Sequence, residues 1–311
     1  MPRAGFRLTD RNDGPMPQAR TLRSRQHSRV FVMDIAQATA TLIHESADRL
    51  YEAPNWTASG DLILNADGAL WRLAPRPGSI PEPIPLEGVP ELNNDHVLAP
   101  DGETVFVSAN DGHIYAAPLA GGHATRTTPN DGDAMRFLHG VSPDGADLAY
   151  IRIDLDDAGA WGVPRLHTIG VDGASDTPLT DGIAPVDGAE YSPDGSWIYV
   201  NTEQFSDEPG HAQIARIRPD GSGLEQLTVD EKVNWFPHLS PDGTLAYYLS
   251  FPIGTTGHPA DVEVELRLVR GGDWANATTL VHLFGGQGTA NVNAWASDSR
   301  RFAYVDYPIG S

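Results

Sequence analysis

The feature that most constrains the fold is a repeated sequence, apolar-Ser-Pro-Asp-Gly, followed each time by an alternating apolar run. Three copies are complete, one is a near copy and two are degenerate. In chain order they are Trp56-Thr-Ala-Ser-Gly60, Leu98-Ala-Pro-Asp-Gly102, Val141-Ser-Pro-Asp-Gly145, Tyr191-Ser-Pro-Asp-Gly195, Leu239-Ser-Pro-Asp-Gly243 and Trp295-Ala-Ser-Asp-Ser299. Successive copies lie 42 to 56 residues apart. This period is typical of a unit of four short strands with their loops.

The second unit shows the predicted strands most clearly. Asp95–Leu98 leads into a Pro-Asp-Gly turn, and Thr104–Ser108 alternates in hydrophobicity as a strand does. A tight-turn signal, Asn110-Asp-Gly112, separates this run from a third strand at His113–Pro118, and Ala124–Thr128 is the fourth. Gly and Asn tolerate the positive φ that hairpin turns require. The unit is therefore predicted to be a four-stranded antiparallel meander.

Six such units indicate an all-β fold, a six-bladed β-propeller in which the sheets pack face to face around a central channel. The sixth unit holds only two predicted strands, Val292–Trp295 and Phe302–Tyr307, whereas Arg29–Ile35 and Thr39–His44 precede the first unit. We expect these N-terminal strands to complete the last blade. Residues 29–311 are then a single propeller domain, and residues 1–28 are a disordered leader or a mis-assigned start.

Composition narrows the functional classes. The chain has 32 Gly and 25 Pro, which disfavours long helices. Its net charge is −21, and the first 29 residues carry +5, so the remainder carries −26. Such acidity argues against nucleic-acid or anionic-membrane binding. The absence of cysteine excludes disulfides and thiol nucleophiles. No membrane span or secretory signal is visible, which predicts a cytoplasmic protein; a periplasmic location would require a different start. We also expect a monomer.

The Ser-Pro-Asp-Gly repeats resemble the TolB-like propeller family over nearly the whole chain beyond residue 29. More specific segments resemble a subgroup labelled TolB-like or biopolymer-transporter Tol-like. These segments are Asn93-Asn-Asp-His96, Trp235-Phe-Pro-His238, Gly257-His-Pro259, Val264-Glu-Leu-Arg-Leu268 and Gly285-Gly-Gln-Gly-Thr289. A related propeller enzyme, oligogalacturonate lyase, is similar in its repeats. That resemblance implies a His/Gln metal site in the propeller mouth, although the lyase looks seven-bladed.

Polar residues recur where the first strand of each unit begins, and these strands line the channel of a propeller. Six blades therefore bring them together at one mouth. The set comprises Glu52, Asn55, Asn94, Asp95, His96, His139, Asp187, Glu190, His238, Gln287, Asn291 and Asn293. The connections between second and third strands open on the same face and add Arg152, Asp154, Glu203, His211, His258, Glu263 and Arg267.

Imidazole, carboxylate and amide groups suit a divalent cation, and we expect Mn, Fe, Zn or Ca at His96, His238 and Gln287. His139 is the expected general base, assisted by Asp187 or Glu190, because the pKa of histidine lies near neutrality. The expected substrate contacts are Asn55, Asn94, Asp95, Arg152, Trp235, Arg267, Asn291 and Asn293. No nucleotide cofactor is expected, since no phosphate loop or dinucleotide fingerprint occurs.

These residues predict a metal-assisted carbohydrate-active enzyme, a lyase or hydrolase acting on oligosaccharides. Two alternatives stay open: a non-catalytic propeller that binds a protein or glycan partner, and a sensor that holds a small polar ligand without turnover. A simpler interpretation of the three histidines is that each hydrogen-bonds its neighbours in a wet channel. The aspartates of the Pro-Asp-Gly turns are interpreted as turn residues, because Asp can bond its own turn backbone.

Overall fold

A computed structural model describes residues 19–310. The first two strands are β1 (Ser28–Asp34) and β2 (Thr39–Ser46), which belong to the last blade. Blade 1 contains β3 (Glu52–Trp56), β4 (Leu62–Ala66), β5 (Ala69–Leu73) and β6 (Glu82–Ile84). After β7 (Leu86–Glu87), blade 2 contains β8 (Leu92–Leu98), β9 (Thr104–Ala109), β10 (Ile114–Pro118) and β12 (Thr125–Arg126). Between its last two strands, β11 (Gly122–His123) pairs in parallel with β7.

Blades 3 to 5 are regular four-stranded antiparallel sheets. Blade 3 contains β13 (Ala134–Val141), β14 (Asp147–Asp154), β15 (Arg165–Gly170) and β16 (Thr177–Pro178). Blade 4 contains β17 (Val186–Tyr191), β18 (Ile198–Thr202), β19 (Gln213–Ile217) and β20 (Glu225–Gln226). Blade 5 contains β21 (Val233–Leu239), β22 (Leu245–Phe251), β23 (Ala260–Arg270) and β24 (Thr278–Gly286). The strands closely match the predicted ones, and the six-bladed all-β fold is confirmed.

The last blade closes the ring as the sequence predicts. Its third sheet strand is β25 (Arg301–Asp306), which pairs antiparallel with β1, and the sheet order is β2-β1-β25. At the end of this pairing the guanidinium of Arg29 lies 2.6 Å from the carboxylate of Asp306. Because strands from the two ends of the chain share one sheet, the ring is closed by backbone hydrogen bonds.

The predicted innermost strand of blade 6, Val292–Trp295, forms only one isolated bridge, between Trp295 and Phe302. The side chain of Asn293 explains the difference. Its amide donates to Glu190 at 2.8 Å and to the carbonyl of Leu239 at 2.9 Å, and its Oδ1 accepts the backbone N–H of Trp295. Asn side chains that bond backbone groups compete with strand pairing in this way.

The Ser-Pro-Asp-Gly segments form the turns between first and second strands, as predicted. In blade 4 the Ser192 hydroxyl donates to Asp194 Oδ1 at 2.7 Å, and the same oxygen accepts the N–H of Ser196 at 3.0 Å. Gly195 adopts φ of +70°, a conformation that favours glycine. These interactions lower the pKa of Asp194 to about 2. The turn aspartates therefore serve local structure at the end of the channel opposite the mouth.

A bulge interrupts the first strand of each of blades 1 to 5. The pairing shifts occur between Glu52 and Asn55, Leu92 and His96, Leu138 and Gly140, Asp187 and Glu190, and Trp235 and His238. Positive φ angles accompany three of them, at Ala53, Gly188 and Phe236. A bulge bends the strand and re-aims its side chains. Each bulge therefore changes which neighbours the mouth residues meet.

The blades pack against each other through apolar clusters. The largest of these combines residues of blades 5 and 6, including Trp235, Tyr247 and Phe302. Within residues 19–310 the sole helix is one 3-10 turn, Trp274–Asn276, and no helix there is long and apolar enough to cross a bilayer.

Candidate functional site

The centre of the mouth is an ion pair between adjacent blades. His139 on β13 places Nε2 at 2.9 Å from Oδ1 of Asp187 on β17. The other carboxylate oxygen of Asp187 lies 3.8 Å from Nε2 of His258, which belongs to the connection between β22 and β23. The Asp187 Oδ1 also accepts the N–H of Gly188, within the β17 bulge. The structure thus brings together two predicted site residues and a third, His258, from a predicted mouth connection.

Asp95 on β8 lies beside this pair. Its side chain is buried, and its Oδ1 has no hydrogen-bond partner among residues 19–310. Asn291, from the connection that leads into blade 6, hydrogen-bonds the carboxylate. A buried polar atom without a partner is uncommon in native proteins and usually marks the position of a water or a ligand.

The charges of this cluster are strongly coupled. Burial raises the pKa of Asp95 to about 6, with Asp187 adding to the rise and His139 opposing it. Burial alone would favour neutral His139, but the charges of Asp95 and Asp187 outweigh it and raise the pKa of His139 to about 9. Burial also opposes ionisation of Asp187, yet its hydrogen bond to His139 holds its pKa below the usual range. At neutral pH the cluster therefore holds an imidazolium between carboxylates, and Asp95 is the group that most readily takes up a proton.

A small cavity of about 30 Å³ opens beside Asp187. Trp235, His258 and Glu203 line it, together with several apolar side chains. The Trp235 and His258 rings lie 4.4 Å apart, between their centroids. At about 10–15 Å³ per molecule the cavity has room for two waters or one terminal group of a ligand. Trp235 is buried and packs on the site from the side, as one of its walls.

Deeper in the channel, Glu190 and His238 form a second pair. Nδ1 of His238 lies 2.6 Å from Glu190 Oε2, and its Nε2 lies 2.9 Å from the carbonyl oxygen of Ala290. Glu190 Oε1 accepts the N–H of Leu239 at 2.7 Å and the amide of Asn293. Both residues are buried. This pair ties blades 4, 5 and 6 together.

The amides at the mouth form a third network. Gln287 donates to Asn94 Oδ1 at 3.2 Å and accepts from the amide of Asn291 at 3.1 Å. The Oδ1 of Asn291 accepts the N–H of Gly288 at 2.8 Å, and Asn55 contacts the carbonyl of His96 at 3.5 Å. These side chains therefore bond chiefly to one another across neighbouring blades.

The predicted metal set of His96, His238 and Gln287 is not assembled. His238 has both ring nitrogens in hydrogen bonds, and Gln287 uses its amide oxygen on Asn291. His96 is fully buried, and burial lowers its pKa to about 4, so its ring is neutral. Over the described part of the chain no group of three or more His, Asp or Glu side chains could hold a metal ion. The residues present do not fit the metal that the lyase resemblance implied.

Arg152 and Arg267, two of the expected substrate contacts, bond other protein groups. Arg152 bonds Asp131 at 2.6 Å and Asp154 at 2.8 Å, and it approaches Asp176 at 3.5 Å. Arg267 lies in the middle of β23, where it donates to the carbonyl of Ala277 at 2.5 Å. Neither guanidinium contacts the Asp95, His139 and Asp187 cluster, and their contact with a substrate stays a prediction. Their blades supplied acidic and carbonyl partners that a strand pattern does not reveal.

Arg20 contacts the mouth, which the sequence pattern did not predict. It lies in the predicted leader, of which residues 1–18 are outside the described residues. Residues 19–27 contact the mouth between blades 1, 5 and 6. Nη1 of Arg20 donates to Glu52 Oε1 at 2.5 Å and to the carbonyl of Gln287 at 2.6 Å. Its guanidinium also lies 5.1 Å from the centroid of the Tyr307 ring. The run of arginines in this segment was the sequence feature that could have indicated a contact with the acidic mouth.

A closed ring of six blades, five of them four-stranded sheets, makes this chain a six-bladed β-propeller with an acidic, histidine-containing channel mouth. The chain is 38% identical over 265 residues to an uncharacterized protein of Agrobacterium fabrum, Atu1656, covering 83% of this chain and 85% of that protein. A TolB-type protein of Agrobacterium tumefaciens has a solved structure that is 34% identical; it superposes with a TM-score of 0.82 and covers 91% of this chain and 99% of its own. The chain belongs to the TolB-like propeller family.

More distant structures share the fold alone. TolB from Acinetobacter baumannii matches at 17% identity with a TM-score of 0.56, over 84% of this chain and 64% of its own. An oligogalacturonate lyase in complex with manganese matches at 14% identity with a TM-score of 0.52, over 86% of this chain and 72% of its own. No family model matches the sequence.

Proposed function

We propose that this propeller binds a small polar ligand at its channel mouth, through Asp95, His139 and Asp187. The observation that carries the proposal is the buried Oδ1 of Asp95, which has no partner among residues 19–310 although it lies beside the His139–Asp187 pair. A hydroxyl or ammonium group of a ligand would supply the missing hydrogen bond. Asp187 and His258 would then bond the same group or its neighbour.

Charge favours a neutral or cationic ligand. Asp95, Asp187, Glu52 and Asp261 are all carboxylates at or near the mouth, and the rest of the chain after residue 29 carries −26. A field of this sign repels anions at long range and attracts cations. A uronate is therefore disfavoured, whereas polyols, neutral saccharides and amines suit the site.

Size restricts how much of the ligand enters. The cavity beside Asp187 admits one terminal group, so the rest of a larger ligand would lie above the mouth. The connection between β22 and β23, which carries His258, forms part of the rim of the mouth. A ligand with a narrow polar end and a variable remainder fits these limits.

A carbohydrate-active enzyme, lyase or hydrolase, is the second candidate. The supporting observation is the contrast between Asp95, with its pKa raised to about 6, and His139, with its pKa raised to about 9. A carboxylate and an imidazolium at these values can accept and donate a proton near neutral pH. An enzyme of this kind needs no metal ion, and among residues 19–310 no group of three or more His, Asp or Glu side chains could hold one.

Thermal-shift screening of the full chain tests both candidates. The panel comprises polyols, neutral oligosaccharides, uronates and alkylamines, followed by calorimetric titration of any compound that raises the melting temperature. We expect binding that weakens at least about tenfold in Asp187→Asn and in Asp95→Ala, since each loses a charged hydrogen bond to the ligand. Asp194→Asn, in an exposed turn, is the matched control and should bind as the wild type does.

Turnover separates the two candidates. Mass spectrometry of oligosaccharides incubated with the protein would detect cleaved products if the site is catalytic, and Asp95→Asn should then abolish them. Binding without products supports the ligand-binding function. A ligand whose affinity is indifferent to Asp95, His139 and Asp187 would contradict the proposal.

A further inference from the structure

The recess that holds Arg20 is built from residues far apart in the sequence. Glu52 begins the first strand of blade 1, Gln287 and Gly288 lie in the connection between blades 5 and 6, and Tyr307 follows β25. Asp261 on β23 adds a second carboxylate, 3.8 Å from Nη2 of Arg20. The side chains of Glu52 and Asp261 are each only 6% exposed, and Tyr307 is fully buried.

These groups match a guanidinium in shape as well as charge. A guanidinium is a planar cation with five N–H donors, so it can bond two carboxylates and a carbonyl together while its face lies near an aromatic ring. Arg20 makes this set of contacts with Glu52, Asp261, the Gln287 carbonyl and Tyr307. An ammonium group, being compact, cannot span the same partners.

Gly288 keeps the recess open. It adopts φ of +88°, and a Cβ there would lie 2.5 Å from the Tyr307 hydroxyl and 2.9 Å from Nη1 of Arg20, and closer still to Glu52 Oε1. No side chain fits at this position without displacing the guanidinium. The bare backbone is therefore part of the recess.

The group that fills the recess is carried by a segment without strand structure. Residues 19–23 form no strand, and Arg20 retains 24% exposure of its side chain. Arg23 and Gln26 anchor the same segment to Asp261, at 2.9 and 2.5 Å. The carboxylates are thus fixed in the blades, whereas their cation is supplied by a tether.

We propose that this recess is an alkylguanidinium-binding site, which the chain's own Arg20 fills and which an arginine side chain or a free alkylguanidine can occupy in its place. Its residues are not those of the Asp95, His139 and Asp187 site, so either proposal can fail alone. The bound group keeps its charge and forms no covalent bond.

The test uses the full chain with Arg20→Ala, titrated with agmatine and followed by the melting temperature and by calorimetry. We expect saturable binding in Arg20→Ala and at least about tenfold weaker apparent binding in the wild type, where the tethered Arg20 competes at high effective concentration. Adding Glu52→Gln to Arg20→Ala should weaken binding by a further tenfold or so. Cadaverine, an ammonium of similar length, should bind more weakly than agmatine.

Arg49→Ala is the matched control. Arg49 also combines a carboxylate, Asp67, with an aromatic face, that of Trp71 at 4.3 Å, but its carboxylate is 48% exposed. Agmatine should not raise the melting temperature of Arg49→Ala. Equal rescue of both variants, or no agmatine binding by folded Arg20→Ala, would overturn the proposal.

A second measurement does not depend on the folding of Arg20→Ala. The chain has no cysteine. The exposed Ser24→Cys therefore provides a single thiol to which a fluorophore can be attached. Agmatine should increase the rotational freedom of this label as the segment leaves the recess, with Arg20→Lys responding at lower concentrations. A label unaffected by agmatine in both backgrounds would count against the site.

A peptide of residues 19–27 then identifies the source of the ligand. Binding of the peptide to Arg20→Ala more tightly than agmatine indicates an arginine within a polypeptide segment. Equal affinities indicate a free alkylguanidine. A peptide with its first arginine replaced by glutamine should bind Arg20→Ala more weakly than the unchanged peptide in either case.

Discussion

His139 and Asp187 lie on the first strands of adjacent blades, with Nε2 of the imidazole 2.9 Å from Oδ1 of the carboxylate. The pair lies at the bulge of β17, where the register shifts between Asp187 and Glu190. It couples two blades at the channel mouth and places an imidazolium next to the buried Asp95. The charge state of the mouth therefore contributes to the stability of the ring, which makes the site accessible to pH-dependent measurements.

The variant His139→Asn should remove a pH-dependent part of the stability. The pKa of His139 in the folded protein, about 9, lies above its ordinary value of 6.5. Its stabilisation is therefore complete below pH 6.5 and is lost as the pH rises through 9, on the order of 3 kcal/mol. Urea unfolding from pH 6 to 9.5 should show this loss in the wild type and a flatter profile in His139→Asn. Parallel profiles would contradict the assignment.

The variant Asp95→Asn should be more stable than the wild type at alkaline pH. Because the folded pKa of Asp95 is raised to about 6 from 3.8, the folded state holds the proton more tightly than the unfolded state. The penalty is absent below pH 3.8 and complete above pH 6. We expect Asp95→Asn to gain about 1–3 kcal/mol at pH 8 and little at pH 4. Asp187→Asn, which removes the partner of His139, should lose stability at pH 7 in the same unfolding assay.

The variant His238→Ala should cost about 3–5 kcal/mol, since it leaves the buried Glu190 carboxylate without its ion-pair partner. We expect the same loss in EDTA and in manganese, because both ring nitrogens already bond protein atoms. His27→Ala breaks an exposed pair with Glu45 and should cost at most about 1 kcal/mol. Stabilisation of the wild type by manganese that vanished in His238→Ala would restore the metal hypothesis.

The variant Gly288→Ala should displace the segment that carries Arg20. The new Cβ clashes with Glu52 and Tyr307, so trypsin should cleave after Arg20 and Arg23 faster than in the wild type. Gly254→Ala is a close control, because Gly254 has φ of +80° and a Cβ added there would meet nothing within 4 Å. Both should lose about 1 kcal/mol from the positive φ, but only Gly288→Ala should speed cleavage at these two arginines.

Much of the fold follows from local signals. The Ser-Pro-Asp-Gly turns and the short alternating strands are predicted, because turn chemistry and strand periodicity act over a few residues. Closure by the N-terminal strands is predicted from the number of strands in the sixth unit. Asp95, His139 and Asp187 are also predicted to converge, since equivalent strands of a ring meet at one mouth. The isolated bridge at Trp295 was not expected, because it depends on bonds from Asn293 to another blade.

The site's partnerships could not be read from the repeats. Bulges in the first strands turn His238 toward Glu190 and Ala290, and so remove it from the expected metal set. Arg152 and Arg267 lie on predicted blades, but Arg152 bonds Asp131 and Asp154, and Arg267 donates to the carbonyl of Ala277. Equivalent positions in the repeats predict that side chains lie at the same end of the channel. They do not predict which of these side chains contact each other.

By itself the sequence determined the blade count, the turn aspartates, the closure by N-terminal strands and the acidic character of the mouth. The turn aspartates and the acidic character depend on composition and on patterns shorter than one blade, whereas the blade count and the closure depend on how often the repeat occurs along the chain. Only the tertiary structure decided that His139 pairs with Asp187, that His238 pairs with Glu190 and that Arg20 fills the recess beside Glu52. Those contacts join residues 32 to 48 positions apart, and the bulges and the rotation between blades set which of them form.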